Sequence, residues 1–388
     1  MEAIVLAGGL GTRLRSSVSS LPKCMAPVGS VPFLSYILSW LEEQGVDHVV
    51  LSVGYLREHI INWISTQKFS FEIDFAIEET PLGTGGGIRE ALKKCRTDKV
   101  FVVNGDTFYP VDLGAFPFNA PVTVALKPMR DFDRYGAVET RTGFPGCDRN
   151  DKEVVITRFR EKASCKEGLI NGGVYALSGL DLSGFPERFS FEKEVLEPLR
   201  VPVMGVVQDM YFLDIGIPED YERAQTELPS YRAVKEASSK VLASGADTLL
   251  LDRDGTINVR IPGDYVRSWE QFVFLPGILE EFPKWAARFE RIIVVTNQRG
   301  VGRALMTDAS LAEIHASMTA AVQNDGGRID AILTCTATSD SDPRRKPNPG
   351  MFHEALELFP GIRKAVMLGD SITDEGFARA AGIDFVKI

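Results

Sequence analysis

The chain has 388 residues, 44% hydrophobic and 25% charged, a length and balance that suit two soluble globular domains rather than a single core. Its net charge of −10 excludes a general nucleic-acid binder, which gains affinity by setting Lys and Arg against phosphates, so basic residues are expected only at local sites for small phosphorylated ligands. Five scattered cysteines (Cys24, Cys95, Cys147, Cys165, Cys335) form no CxxC pair and suit a reducing compartment without a disulfide framework, and no apolar run is long enough to span a membrane.

Ala3 to Leu6 reads as a short buried strand that opens into Gly8, Gly9, Gly11 and Arg13. The missing Cβ atoms let backbone N–H groups approach a polyphosphate, and Arg13 adds a fixed cation, so strand, turn and helix start form an anion cradle. Neither the Walker pattern nor the dinucleotide fingerprint is present. Met1 and Glu2 lead straight into this strand, so no secretory leader is expected and the cytoplasm is the expected compartment.

In LPKCMAPV (21–28) two prolines fix an extended segment that carries Lys23 back toward the glycines. Apolar spacing predicts a helix over 32–44, ended by Gly45, and a strand over 49–53. EETPLGTGGG (78–87) is a second glycine-rich loop, followed by a helix over 88–94, and this alternation predicts a doubly wound α/β sheet. The strand predicted over 100–106 ends on Asp106, where such sheets face a ligand crevice, and YFLD (211–214) places Asp214 at another strand end. Two carboxylates beside a phosphate cradle would hold Mg²⁺ through hard oxygen ligands.

LAGGLGTRL (6–14), PK (22–23), EETPLGTGG (78–86), NGD (104–106), REK (160–162), INGGVY (170–175) and DIGIPEDY (214–221) together resemble the sugar-1-phosphate nucleotidylyltransferases in order and spacing. Within that family the pattern is most similar to the D-glycero-D-manno-heptose 1-phosphate and mannose-1-phosphate guanylyltransferases. The resemblance implies a Rossmann-like domain with a mixed sheet, in which the sugar 1-phosphate oxygen attacks the α-phosphorus of GTP or another nucleoside triphosphate and pyrophosphate leaves. It implies that Leu6, Gly8, Gly9, Gly11 and Thr12 line the nucleotide and that Arg13 and Lys23 screen the developing charge. By the same token Gly83, Thr84 and Gly85 lie near base and ribose, and Asp106 and Asp214 hold Mg²⁺. Lys162 receives the sugar phosphate, while Glu161, Asn171 and Gly172 read sugar hydroxyls.

Residues 229–246 are small, charged and poor in large apolar side chains, and read as a linker with about two helical turns between domains at 1–228 and 247–388. Thr248 to Leu251 then restarts an apolar strand ending in DRDGT. Asp252 would attack phosphorus as a carboxylate, and Asp254, two residues on and on the same face, would protonate the leaving alkoxide. The strand over 292–295 ends in Thr296 and Asn297, which can bind phosphoryl oxygens, and Arg345 and Lys346 add cations. The strand over 366–368 brings Asp370 to a Mg²⁺ site with Asp252 and the Asp254 carbonyl, and Asp374 follows one helical turn later.

DRDGT, TNQ, RKPNPG and GDSITD resemble the haloacid dehalogenase phosphatases, and in detail the heptose-1,7-bisphosphate 7-phosphatase and histidinol-phosphatase branch. The resemblance implies a second Rossmann-like domain without a large cap, residues 258–272 serving as a short flap. That branch commonly carries a Cys/His zinc loop before RKP, but here CTATSDSDPRRKP keeps Cys335 alone, so no zinc is expected and the loop that orients Arg345 is shortened. His48, His59, His315 and His353 lie away from the motifs and are expected to be structural.

Joined, the two resemblances imply a bifunctional enzyme that dephosphorylates a heptose 1,7-bisphosphate and then activates the 1-phosphate as GDP-heptose. The alternative keeps both chemistries on mannose 1-phosphate or another hexose, with an unrelated phosphatase substrate. The expected partners are small molecules, with neither nucleic acid nor membrane, and a homo-oligomer is left open.

Overall fold

The apolar run at the N-terminus forms strand β1 (Glu2–Leu6), whose Ala3, Ile4 and Val5 are fully buried because parallel neighbours flank it on both sides. A computed structural model describes residues 1–9, 20–141, 153–162 and 164–388, for 161 and 162 the backbone alone, and falls into two units, Met1–Thr226 and Glu227–Ile388. Gly11, Thr12 and Arg13 lie outside the described residues, as do the side chains of Glu161 and Lys162.

The first unit continues through β2 (Pro27–Val28), β3 (Val31–Pro32), α1 (Phe33–Glu43), β4 (His48–Val53), α2 (Arg57–Ser65), β5 (Glu72–Ile77), α3 (Gly83–Leu92) and β6 (Lys99–Asn104). It goes on with β7 (Thr107–Phe108), β8 (Val122–Phe132), β9 (Gly136–Arg141), β10 (Glu153–Lys162), β11 (Cys165–Ser178), β12 (Val203–Val207) and β13 (Leu213–Asp214). Among the described residues a nine-stranded sheet has the order β5-β4-β1-β6-β11-β8-β12-β10-β9. β5, β4, β1 and β6 run parallel, and β11 reverses direction against β6, so the sheet is mixed. Helix α1 starts after Pro32, buries Phe33, Ile37, Trp40 and Leu41 on one stripe, and stops where Gly45 takes a φ of +72°.

The strand expected to end on Asp106 stops at Asn104. Gly105 turns the chain, its N–H donating to the Leu6 carbonyl at 3.1 Å, and a Cβ there would stand 2.5 Å from that oxygen. Asp214 likewise sits outside the large sheet, in the two-stranded ribbon β13–β7, where it lies opposite Thr107 and therefore beside Asp106.

The unit boundary falls within α4 (Pro218–Ala243), followed by β14 (Thr248–Leu251), α5 (Phe282–Arg288), β15 (Arg291–Asn297), α6 (Arg299–Gly302), α7 (Asp308–Asn324) and β16 (Ala331–Cys335). α8 (Gly350–Leu358), β17 (Ala365–Gly369), α9 (Ile372–Ala381) and β18 (Asp384–Lys387) complete the second unit, whose parallel sheet has the order β16-β15-β14-β17-β18. Both faces of this sheet are covered. Leu249, Leu251, Ile292, Val294 and Leu368 share a core with Trp285, Ile314 and Met318, while the alternate residues Leu250, Ile293, Val295 and Met367 pack with Met351, Phe352 and Phe377.

The segment read as a linker is helical as far as Ala243 and is part of the second unit's core. Val234, Ala237 and Val241 are buried there. Lys235 pairs with Glu280 at 2.7 Å and Glu281 at 2.6 Å, and Ser238 joins Glu281 to the Trp285 indole. The expected flap follows DRDGT as an extended return: Asn258 bridges both Asp254 and Phe274, and a single 3-10 turn forms at Trp269–Gln271.

Candidate active sites

In the first unit the end of β1 delivers Leu6, Gly8 and Gly9 to a pocket of about 440 Å³, shared with Lys23, Glu78, Gly83, Thr84, Asn104, Asp106 and Arg188. Among the described residues nothing lies within 4 Å of where a Gly9 Cβ would be. Gly8 has a further reason to lack a side chain, because its Cβ would stand 2.9 Å from the Glu78 carboxylate. That carboxylate accepts from Ser52 Oγ at 2.7 Å and from the Leu82 N–H at 3.1 Å, tying the second glycine-rich loop to the end of β4. Glu78 opens the EETPLGTGGG stretch, yet its role was not legible there. Gly83 takes a φ of +73°. Gly85, expected at the nucleotide, is buried instead against the Phe189 ring, which a Cβ would meet at 2.2 Å.

The Lys23 ammonium donates to Asp106 Oδ2 at 2.5 Å and stands 3.8 Å from Asp214 Oδ1, so the two carboxylates named from sequence converge on one cation. Burial pushes the Asp214 carboxyl up, the Asp106 charge adds to this, and Lys23 opposes it. Hard oxygens gathered in this way fit Mg²⁺.

Asn104 and Asp214 also line a second pocket of about 290 Å³ with Asn171, Gly172, Tyr175 and Glu192. Here Asn171 is locked, its amide donating to the Tyr175 hydroxyl at 3.0 Å and its oxygen accepting from the Gly173 N–H at 2.9 Å. Gly172 is required by the Tyr109 ring, 2.2 Å from where its Cβ would be. Glu192, which sequence reading missed, accepts from Thr84 Oγ1 at 2.5 Å and so joins the two pockets.

In the second unit Asp252 follows β14, and its N–H donates to the Leu368 carbonyl. The Lys346 ammonium, 2% exposed, donates to Asp252 Oδ1 at 2.6 Å, Asp374 Oδ1 at 2.6 Å and the Val295 carbonyl at 2.8 Å. Carboxylate oxygens of Asp252, Asp370 and Asp374 lie within 4.8 Å of one another, a donor set that also fits Mg²⁺. The other oxygen of Asp374 accepts from Ser371 N and Oγ in a capping box, so this residue holds Lys346 in place. Gly255, at φ +95°, passes so close to Asp370 that a Cβ would meet it at 2.2 Å.

The Asp254 side chain turns away from this cluster. Arg253, fully buried, grips both its oxygens at 2.9 Å, Asn258 donates at 3.0 Å and Gln298 at 2.8 Å. Burial pushes the Asp254 carboxyl up, but the guanidinium and the amide donors outweigh it and hold it below the usual carboxylate range. The Asp254 carbonyl, not its carboxylate, lies toward Asp370: both accept from Arg260 Nη2, at 3.0 and 2.7 Å. His315, expected to be remote from the motifs, contacts Arg253 through Nε2 at 3.2 Å.

Two further expectations change. Asn297 does not present a free amide: it clamps the Lys346 backbone from both ends, at 3.0 and 3.1 Å. Thr296 is buried and accepts from the Gln298 amide at 2.8 Å, leaving its proton to donate. Arg345 is oriented by the Asp340 carboxylate at 3.0 Å, in the shortened loop.

A nucleotide-sized cradle with paired carboxylates defines a nucleotidyl-transfer site, and a DxD turn beside a buried lysine defines a phosphoryl-transfer site. Residues 2–230, more than half of the chain, match the family model described as Nucleotidyl transferase, and the chain belongs to that family. Residues 343–388 match a second model, HAD-hydrolase-like. Over 240 residues the chain is 45% identical to D-glycero-alpha-D-manno-heptose 1-phosphate guanylyltransferase of Aneurinibacillus thermoaerophilus, covering 60% of this chain and 100% of that protein. Over 141 residues it is 39% identical to D-glycero-alpha-D-manno-heptose-1,7-bisphosphate 7-phosphatase of Mycobacterium bovis, covering 34% of this chain and 74% of that one. The crystal structure of HddC from Yersinia pseudotuberculosis complexed with GMP-PN superposes with a TM-score of 0.52 at 34% identity, covering 58% of this chain and 99% of that chain. Among the described residues no helix is long and apolar enough to cross a membrane.

Proposed function

We propose that the chain carries out two consecutive steps: its second unit removes the 7-phosphate of D-glycero-alpha-D-manno-heptose 1,7-bisphosphate, and its first unit transfers GMP from GTP to the resulting 1-phosphate, giving GDP-heptose and pyrophosphate. One observation carries this reading. The relatives of the two halves are named for the same heptose and the same anomer, and the product of one reaction is the substrate of the other.

In the second unit Asp252 attacks the 7-phosphorus; Asp254, ionised beside Arg253, passes on to the leaving C7 oxygen the proton that the phosphate monoanion brings in, and water then cleaves the aspartyl phosphate while giving a proton to Asp254. Lys346, held by Asp374 and by the Asn297 clamp, balances the charge on Asp252. In the first unit Gly8, Gly9 and Lys23 meet the triphosphate, and the 1-phosphate enters from the neighbouring pocket that Asn171 and Gly172 line. Asp106 and Asp214 in one site, and Asp252, Asp370 and the Asp254 carbonyl in the other, are the oxygens that would hold Mg²⁺, which supplies charge neutralisation at phosphoryl oxygens.

The test is a grid of nucleoside triphosphates against sugar 1-phosphates with the full-length chain. GTP with the heptose is expected to give the highest kcat/KM, and equal rates on mannose 1-phosphate would remove the heptose assignment.

A further inference from the structure

Arg260, on the return that follows DRDGT, is claimed by neither motif. Its Nη2 donates to Asp370 Oδ1 at 2.7 Å and to the Asp254 carbonyl at 3.0 Å, its Nε donates to the same carbonyl at 3.2 Å, and the guanidinium stands 4.0 Å from Asp252 Oδ2. These are the three groups that the phosphatase reading assigns to the divalent cation. A magnesium ion takes oxygens at about 2.0–2.1 Å in near-octahedral array, and a guanidinium on the same lone pairs, carrying the same sign of charge, cannot share them.

Lys346 does not raise the same conflict, because it is 2% exposed and uses the other oxygen of Asp252. The Arg260 side chain is 48% exposed and has solvent to move into. Its backbone is fixed close by, since Asn258 bridges to Asp254 and Phe274 and the Val259 N–H bonds the Val273 carbonyl at 2.8 Å. The competing cation is therefore tethered at high local concentration.

We propose that Arg260 is a built-in competitor for the metal of the second site: its contacts with Asp370 and the Asp254 carbonyl exclude the divalent cation, and the cation must displace it. The consequence, which rests on the phosphatase reading, is that Arg260 sets the metal concentration at which the phosphatase half works and leaves the nucleotidyl-transfer half unaffected.

The test uses Mn²⁺ as the probe on the full-length chain without nucleotide, following free Mn²⁺ by electron paramagnetic resonance for the unaltered protein, Arg260→Ala, Arg260→Lys and Asp370→Asn. Asp370→Asn identifies the second unit's site as the one that is lost. That site is expected to tighten about fivefold or more in Arg260→Ala and to be intermediate in Arg260→Lys, whose ammonium spans fewer of the oxygens. Without metal Arg260→Ala should unfold at lower temperature than the unaltered chain, and saturating Mn²⁺ should close the gap. Should Arg260→Ala not fold, Arg260→Gln keeps the length and loses the charge. An affinity at the Asp370-dependent site that is unchanged or weaker in the neutral variants overturns the proposal alone; retention of every Mn²⁺ site in Asp370→Asn overturns it together with the metal assignment.

Discussion

The Lys346 ammonium lies 2.6 Å from Asp374 as well as from Asp252, and all three side chains are at most 7% exposed. Asp374 is thus the fixed counter-charge that holds the lysine against Asp252. Neutralising Asp374 leaves the buried lysine with Asp252 and the Val295 carbonyl but costs it one charge-assisted hydrogen bond, about 1.5–3 kcal/mol. Asp374→Asn is expected to lower the unfolding free energy of the second unit by that amount and to reduce phosphate release, with pyrophosphate release retained; coincident loss of both activities in the folded variant would contradict this.

Gly83 takes a φ of +73°, and its Cβ would stand 2.5 Å from the Phe189 carbonyl. Both the turn and the contact forbid a side chain. Gly83→Ala should cost about 1–3 kcal/mol in the first unit and raise the GTP KM, measured by urea unfolding and initial rates. An unaltered KM would show that the loop does not shape the nucleotide pocket.

Asp106, Asp252 and Asp370 each come just after an apolar strand whose end the sheet carries to the crevice, which made them legible in the sequence, whereas Asp214 reaches Asp106 through the separate β13–β7 ribbon. Residues whose work is to hold others were not legible: Glu78 meets Ser52 across 26 residues, Asp340 holds Arg345 from within a polar loop, and Arg253 on Asp254 is hidden inside a motif. The linker reading gave the segment only about two helical turns and no part in a core, because its buried stripe, Val234, Ala237 and Val241, is made of small residues at helical spacing among charged ones.

His315 gives a pH dependence. Burial, and then the Arg253 guanidinium, hold its imidazole down to about 4 against the ordinary 6.5. Between these values the unfolded chain takes up a proton that the folded one refuses, so stability is full above pH 6.5 and is lost as pH falls, by up to about 3 kcal/mol. Denaturant unfolding of the second unit at neutral and at mildly acidic pH should show this decline, and His315→Gln should lessen it; identical slopes would contradict the assignment.

Asp340 makes its contact with Arg345 from an exposed loop, at 3.0 Å. Asp340→Ala should loosen Arg345 and raise the bisphosphate KM about three- to tenfold with little change in kcat. A fall in kcat at constant KM would place Arg345 in the chemistry rather than in substrate capture.

The central claim is that one chain holds two separate sites acting in sequence. The most direct test supplies the full-length protein with D-glycero-alpha-D-manno-heptose 1,7-bisphosphate, GTP and Mg²⁺, and follows phosphate, pyrophosphate and GDP-heptose by mass spectrometry, alongside Asp252→Asn and Asp106→Ala. The expected result is equal amounts of the three products. Asp252→Asn should release no phosphate but still convert added heptose 1-phosphate, and Asp106→Ala should release phosphate and accumulate heptose 1-phosphate. Loss of both activities in either folded variant, or no GDP-heptose from the bisphosphate with the unaltered chain, would contradict the account.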